Sequence, residues 1–396
     1  MKKNILLLTL VLFFVFCRTK AIGPIQPAAK YITSFYFQQF SEGVIIVKAL
    51  LNNVPDTLNF ILDTGCGGIS LDSTTCSILG IKTIPSDITI TGMGEAHKVN
   101  FVFHQTLHLP GLTLHNVNFH VNDYSVLSGV YGEKIDGVIG SAFFNHYIVK
   151  IDFDSLRIDV YSPGKIKYSS KGTLLHPYFN NIPVQTLKLQ DARKINFNFY
   201  FDTGAGLCFL MNKNFVNDSG ILLKTHHPLL TQADGLGGRL QMHLTIIKKL
   251  KVGSYIFRNI PSYIYDDIYN VTSYPSVGGL VGIDLLRRFN MIINYPKDEI
   301  DLWPNGHFND KFDYAYTGLS LYYSNEQILV DDIISESPAE EAGLQKDDIV
   351  LSVENNTSNN IQQYKTLLQS PNEKIKITIN RNGTLLILFI KPKLIS

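Results

Sequence analysis

The chain has 396 residues, a length that predicts two or three domains rather than one. Hydrophobic residues make up 45% of the chain and charged residues 17%, which excludes a disordered protein and indicates a core-forming one. The formal net charge of +1 gives no electrostatic bias toward nucleic acid or an anionic membrane. The 20 tyrosines, 24 phenylalanines and short β-branched runs favour a mainly β-structure.

The first residues have the features of a targeting segment. Lys2 and Lys3 precede an apolar run from Ile5 to Phe16, which is typical of a signal peptide and short for a membrane span. We predict a signal peptide at residues 1–21 and export to the periplasm or cell surface. An alternative is a lipid anchor on Cys17, although Phe16 is bulkier than the residue that usually precedes a lipidated cysteine. A retained membrane anchor is a third hypothesis.

An apolar strand-like run at residues 58–62 leads directly into Asp63, which glycines follow. The same layout returns at residues 197–201, which lead into Asp202. A carboxylate at the end of an apolar strand is costly to bury unless it is paired or protonated. One such carboxylate in each half of a repeated chain predicts that the two meet in one site.

Further landmarks repeat in the same order. A glycine-rich loop follows each aspartate, 29 residues after Asp63 at Gly92 and 33 residues after Asp202 at Gly235. An element of two apolar residues and a glycine then ends 48 residues later in the first half and 47 later in the second. This spacing predicts a duplication, with lobes at residues 30–165 and 166–305. The glycine-rich loops are interpreted as mobile hairpin tips, or flaps: Gly92, Met93 and Gly94 in the first lobe, and Gly235, Leu236 and Gly237 in the second.

A polar, turn-rich linker is predicted at residues 306–316 and a small third unit at residues 317–396. In this unit Pro338 is placed to begin a helix and Gly343 to end it.

Two adjacent carboxylates suit the hydrolysis of a peptide bond. The ionised carboxylate takes a proton from a water molecule while the protonated one polarises the carbonyl and assists the leaving amine. Because two carboxylates about 3 Å apart cannot both ionise at low cost, they share one proton. Thr64 and Thr203 are expected to hydrogen-bond across the two halves, and Gly65 and Gly204 to let backbone N–H groups approach the carboxylates.

The triplets Asp63-Thr64-Gly65 and Asp202-Thr203-Gly204, with Val138-Ile139-Gly140 and Leu280-Val281-Gly282 downstream, resemble the two lobes of a pepsin- or retropepsin-like aspartic protease. The resemblance covers roughly residues 30–305 and implies a mainly β, two-lobed acid-protease fold with Asp63 and Asp202 as catalytic residues. It also implies a polypeptide substrate and no cofactor or metal. Neither flap tip carries the tyrosine of a pepsin flap, and Cys66 replaces the usual Ser, Thr or Ala.

Residues 317–396 resemble a PDZ domain. Gly318, Leu319, Ser320 and Leu321 look like its carboxylate-binding loop, and the Ser337–Leu344 segment with Asp347-Asp348-Ile349-Val350 is the more specific signature. A PDZ domain adds an extended peptide to a sheet edge, so this resemblance implies a peptide or protein C-terminus as partner. As a whole, the chain resembles secreted bacterial aspartyl proteases that carry a C-terminal PDZ domain.

Other interpretations stay open. A catalytically silent peptide-binding protein would use the same cleft and PDZ domain, and an adaptor would use the PDZ domain alone. Cys66 and Cys76 form a disulfide, or they and Cys208 are three buried thiols. Asp136 and Asp284 are interpreted as loop and cap residues, and Arg287-Arg288 as a solvated helix face.

Overall fold

A computed structural model describes residues 26–235, 237–273 and 276–395. The predicted signal peptide with Cys17, and Leu236 at the second flap tip, lie outside these residues. In the part of the chain described, no helix is both long and apolar enough to cross a membrane.

The first half consists mainly of strands that close into a barrel. Six strands follow the order β3–β4–β10–β5–β9–β8, and β8 pairs back onto β3. The elements are β1 (Tyr31–Tyr36), β2 (Gln38–Gln39), β3 (Ile45–Leu51), β4 (Leu58–Leu62), β5 (Ile69–Asp72), α1 (Ser73–Ile78), β6 (Thr89–Thr91), β7 (Ala96–Lys98), β8 (Asn100–Leu109), β9 (Leu112–Asn122), α2 (Ser125–Tyr131), β10 (Gly137–Ile139), α3 (Ser141–Phe144), β11 (Ile148–Asp152) and β12 (Arg157–Tyr161).

The second half repeats this barrel. Its strands follow the order β15–β16–β21–β17–β20–β19, and β19 pairs back onto β15. The elements are β13 (Thr173–Leu175), β14 (Tyr178–Asn180), β15 (Ile182–Gln190), β16 (Lys194–Phe201), β17 (Phe209–Asn212), α4 (Lys213–Ser219), β18 (Leu229–Gly235), β19 (Gly238–Val252), β20 (Tyr255–Tyr265), β21 (Gly279–Val281), α5 (Ile283–Leu286), β22 (Phe289–Asn294) and β23 (Glu299–Pro304).

The two barrels share local chemistry as well as strand order. α1 and α4 are capped in the same way: Asp72 Oδ2 accepts the N–H of Thr75 at 2.8 Å, and Asn212 Oδ1 accepts that of Phe215 at 2.7 Å. Such matched caps at matched positions accord with the duplication that the repeat spacing predicts.

A six-stranded sheet joins the two barrels, in the order β1–β12–β11–β22–β23–β13. Its central pair is β11 of the first half against β22 of the second, with Val149 opposite Ile293. One continuous hydrophobic core runs through both barrels and this sheet. The halves are thus held in a fixed relation by backbone hydrogen bonds and by a common apolar interior.

The C-terminal unit has its own core and a five-stranded sheet in the order β25–β26–β27–β28–β29. Its elements are β24 (Ala315–Tyr316), β25 (Leu319–Ser324), β26 (Gln327–Ile333), α6 (Pro338–Glu341), β27 (Ile349–Val353), α7 (Ile361–Leu367), β28 (Ile375–Arg381), β29 (Thr384–Ile390) and β30 (Lys393–Leu394). β25 lies at the edge of this sheet, and α7 packs beside it.

The interpretation of Arg287-Arg288 as a solvated face is wrong. The Arg288 side chain is 1% exposed, and its guanidinium lies 4.0 Å from the centre of the Phe312 ring. It donates hydrogen bonds to the carbonyl oxygens of Asp310 and Lys311. The buried charge of Arg288 is tolerated because the linker covers it with an aromatic ring and two carbonyl acceptors. These contacts fasten the linker to the second lobe.

Candidate active site

Asp63 and Asp202 occupy the same place in the two barrels, at the ends of β4 and β16. In each half a short strand from the apolar-Gly element runs parallel to the aspartate strand. The N–H of Asp63 donates to Ile139 O at 2.9 Å, and the N–H of Asp202 donates to Val281 O at 3.0 Å. The two apolar-Gly elements therefore hold the backbone of the two aspartates.

The two carboxyl groups meet and are hydrogen-bonded to each other. Each lies against the glycine of the opposite lobe. A Cβ on Gly65 would be 2.5 Å from Asp202 Oδ2, and a Cβ on Gly204 would be 2.5 Å from Asp63 Oδ2. Since real Cβ atoms do not approach so closely, only glycine at these two positions leaves room for the pair.

Thr64 and Thr203 form a symmetric brace beneath the carboxyl groups. The N–H of each threonine donates to the hydroxyl of the other at 3.0 Å. The hydroxyl of Thr64 donates to Phe201 O at 2.8 Å, and that of Thr203 donates to Leu62 O at 2.9 Å. Both side chains are buried, so these four hydrogen bonds tie each aspartate turn to the opposite strand in a low-dielectric interior.

The surroundings favour one shared proton. Burial raises the pKa of Asp63 well above its ordinary 3.8, and the charge of Asp202 and its hydrogen bond raise it further. Burial also raises the pKa of Asp202, but the hydrogen bond from Asp63 and the N–H groups of Gly204 and Ala205 oppose that rise. Because the two carboxyl groups interact strongly, they titrate as a pair and hold one proton between them.

Two tyrosines contact this region without any signal in the sequence. Tyr295, in a single turn of 3₁₀ helix after β22, donates to Thr64 O at 3.3 Å. Tyr124 lies before α2, where its hydroxyl is 2.5 Å from Ser70 Oγ and accepts the amide of Asn122 at 3.1 Å. Burial raises the pKa of both phenols, so both stay neutral. They come from turns that no periodic pattern marks.

The cysteines are free thiols, with Cys76 and Cys208 buried and Cys66 half-buried. Burial and the nearby Asp63 raise the pKa of Cys66 to about 12. Cys66 is therefore a neutral thiol beside the carboxyl pair.

The predicted flaps are hairpin tips that touch each other. Gly92, Met93 and Gly94 connect β6 to β7, whereas Gly235 ends β18 and Gly237 precedes β19. A Cβ on Gly94 would be 2.6 Å from Gly237 O. Met93 packs against an apolar cluster of the second barrel, and its carbonyl accepts a hydrogen bond from the hydroxyl of Tyr265. The first flap is thus fastened to the opposite lobe.

Asp136 and Asp284 have no place in the carboxyl pair. Asp136 accepts hydrogen bonds from the Thr75 hydroxyl and the Asn59 N–H, and Asp284 pairs with Arg287 at 2.9 Å. Within the described residues, no group of three or more His, Cys, Asp and Glu side chains is placed to hold a metal ion.

In the C-terminal unit, Gly318 has a φ of +66° and precedes the edge strand β25, which begins at Leu319. Ser320 lies on that strand, and Leu321 is buried in the core of the unit. The predicted loop therefore leads into an edge strand that α7 flanks.

Two closed barrels of one strand order, each presenting an aspartate to a common carboxyl pair, define a two-lobed acid-protease fold. Residues 47–143 and 186–285 match the family model of the aspartyl proteases, and residues 329–381 match that of the PDZ domains. The chain therefore belongs to the retropepsin-like aspartyl proteases and carries a C-terminal PDZ domain. A search among curated proteins found no match. The predictions of the fold class and of the family are confirmed.

Proposed function

We propose that this protein is an aspartic endopeptidase that hydrolyses peptide bonds with a water molecule activated between Asp63 and Asp202. The observation that carries the proposal is the carboxyl pair, which is hydrogen-bonded and has raised pKa values. A peptide-binding protein has no need of two carboxyl groups held together at such an electrostatic cost. The proposed lobes are residues 30–165 and 166–305, followed by a linker at 306–316 and the PDZ domain at 317–396.

In the proposed mechanism, the ionised aspartate of the pair takes a proton from the water molecule, which attacks the carbonyl carbon of the scissile bond. The protonated aspartate donates its proton to the carbonyl oxygen, giving a tetrahedral intermediate. As the C–N bond breaks, the first aspartate passes its new proton to the amine nitrogen and the second takes a proton from a hydroxyl of the intermediate, so the pair returns to its one-proton state. The threonine brace holds both carboxyl groups in position, which is the main contribution of the fold.

The flaps bear on the choice of substrate. Two hairpins whose tips touch suit an extended chain as substrate, and their closure over the carboxyl pair would exclude bulk water from the reaction. The proposed substrate is thus an unfolded or extended polypeptide. The PDZ domain would hold a peptide tail near the cleft and raise its local concentration.

We also propose export through a signal peptide at residues 1–21, with the protein in the periplasm or at the cell surface. The alternative of a lipid on Cys17 has a direct test, the mass of the N-terminal peptide of the protein isolated from cell fractions. An unmodified N-terminus beyond residue 21 supports cleavage, and a diacylglycerol-modified Cys17 supports anchoring.

The test of the enzymatic proposal is digestion of a denatured, fluorescently labelled protein across pH 3–8. We expect cleavage by the wild type and its loss in Asp63→Asn and in Asp202→Asn. Asp56→Asn, at an exposed turn of the same lobe, is the matched control and should cleave normally. A peptide with a tetrahedral hydroxyl-bearing carbon at the scissile position should inhibit. If the wild type binds this peptide but cleaves nothing in that range, the protein is a silent peptide binder.

A further inference from the structure

The peptide groove of the PDZ domain is in contact with the first protease lobe. The groove lies between the edge strand β25 and the helix α7, where an incoming peptide would add to the sheet. Helix α2 (Ser125–Tyr131) packs against both walls of this groove. The described residues between β20 and β21 of the second lobe hold no helix, so α2 is an addition to the duplicated plan.

Polar contacts fix α2 on the groove from both sides. The hydroxyl of Tyr322, on β25, donates to Ser125 O at 3.1 Å. On α7, Gln362 donates to Tyr131 O at 2.7 Å, and Lys365 donates to Val130 O at 3.0 Å. The last carbonyl groups of a helix have no partner within it, and a cation is favourable near them. The PDZ domain supplies both the donors and the charge.

The packing at the centre of this contact depends on a glycine. Gly129 of α2 is buried, and a Cβ placed on it would be 2.6 Å from Tyr322 Cε1 and closer still to the rest of the ring. Gly132, just after α2, lies similarly close to Ile361 of α7. The backbone of α2 therefore approaches the groove more closely than any residue with a side chain would allow.

The same domain holds the second flap. Arg239, on the β19 side of this flap, forms ion pairs with Asp331 and Asp332 of β26. On the β18 side, the hydroxyl of Tyr316, in the short strand β24 that leads into the domain, donates to Leu230 O at 2.8 Å. β26 is the neighbour of β25 in the PDZ sheet, so a shift of the groove strand would reach the flap through one further strand.

We propose that α2 closes the PDZ groove from within the chain, and that a peptide C-terminus entering the groove displaces α2 and loosens the second flap. The ligand is an extended peptide with a free α-carboxylate, and it acts as an activator. The displacement of α2 by the peptide is a binding equilibrium that does not depend on catalysis. The control of cleavage through the loosened flap rests on the proposed endopeptidase function. Since Arg288 fastens the linker, α2 and the groove stay at a high effective concentration, which favours the closed form.

The test uses the full chain with Asp63→Asn, so that peptides are not consumed. The probe is a fluorescent hexapeptide library with free C-terminal carboxylates, and the same library with amidated C-termini is the ligand control. If the open form is under about one tenth of the molecules, opening it should tighten binding at least about tenfold. Gly129→Leu leaves the PDZ domain unaltered and should give this gain. Asn217→Leu adds the same side chain to an exposed position of α4 and should not.

Two further variants guard against misfolding. Gly129→Ala still overlaps Tyr322, and alanine is a better helix former than glycine, so it should also tighten binding. The double change Gln362→Ala/Lys365→Ala removes the two donors from the other side of the contact and should likewise tighten peptide binding. Lys346→Ala, on an exposed turn of the same domain, is its control.

Hydrogen exchange of the amides at residues 229–235 reports the loosening of the second flap. We expect faster exchange in Gly129→Leu and in the Asp63→Asn chain, with Gly129 retained, when it is saturated with the library. Unchanged affinity in the Gly129 variants overturns the proposal, and so does tighter binding with unchanged flap exchange. None of these readouts requires cleavage. Failure of the endopeptidase proposal would therefore appear separately, as a wild-type chain that cleaves nothing.

Discussion

Gly204 lies directly against the carboxyl group of Asp63, with room for a hydrogen but none for a methyl group. The missing Cβ of Gly204 would be 2.5 Å from Asp63 Oδ2. Gly65 stands in the same relation to Asp202, so each lobe provides the space that the aspartate of the other lobe occupies. The glycine of each triplet is thus required by the opposite half of the molecule.

Gly204→Ala should therefore displace Asp63 from the pair. A displacement of about 1 Å costs on the order of 100-fold in rate when geometry carries the catalysis, and we expect a loss of kcat of that size. The measurement is steady-state cleavage of a labelled polypeptide. Gly67→Ala is the matched control, because a Cβ there would have no neighbour within 4 Å. Equal activity of Gly204→Ala and Gly67→Ala would contradict the geometry.

The threonine brace predicts a loss of stability when either hydroxyl is removed. Thr203→Val removes the hydroxyl that accepts from the Thr64 N–H and donates to Leu62 O, and so leaves buried groups without partners. Each unsatisfied group costs about 1–3 kcal/mol, and we expect a lower free energy of unfolding by denaturant. Thr203→Ser keeps the hydroxyl and should lose much less. Thr64→Val removes the other two hydrogen bonds of the brace and should cost a similar amount.

The duplicated architecture could be predicted from the sequence because the local structure at each landmark restricts which residue types can occur there. A strand end, a close backbone approach and a hairpin tip each restrict the residue type, and the spacing between them survives in both halves. The sequence therefore predicts that Asp63 and Asp202 meet, and the structure brings their side chains together. The fold class follows from the same repeat.

Contacts between distant segments had no such signal. Tyr295 donates a hydrogen bond to the Thr64 carbonyl from a turn more than 200 residues away. The sequence around Tyr295 carries no motif that would indicate this contact. Arg288 looks solvated in sequence because charges usually are, and only the folded linker reveals the Phe312 ring over it. The contact of α2 with the PDZ groove depends on Gly129 and Tyr322, which belong to no shared pattern. Such features require the tertiary structure.

The hydrogen bond from Tyr265 to the Met93 carbonyl predicts control of the first flap. Tyr265→Phe keeps the ring in its apolar cluster and removes this bond, worth about 1 kcal/mol. We expect faster hydrogen exchange of the amides at residues 92–95 and a KM raised by roughly fivefold, since the flap orders the substrate. Tyr269→Phe, at an exposed tyrosine, is the control and should change neither quantity. Slower exchange or a lower KM would show that the bond holds the flap away from its working position.

The carboxyl pair also determines the pH dependence. The competent state carries one proton and one negative charge, which Asp63 and Asp202 share. Falling pH adds a second proton and removes the base, whereas rising pH removes the proton and with it the acid. Since burial raises the pKa of both groups, both limbs are displaced to higher pH than an exposed aspartate would give.

We therefore expect a bell-shaped profile of kcat/KM whose upper limb lies well above the ordinary aspartate pKa of 3.8, so that cleavage persists in weakly acidic solution. The measurement is the initial rate at low substrate concentration across pH 3–8, with far-ultraviolet circular dichroism at each pH to confirm that the chain is folded. Because the two protons belong to one coupled pair, the limbs report the pair and not single residues. An upper limb at or below 3.8 in a folded chain would mean that solvent reaches the carboxyl groups freely, which their half-buried position argues against.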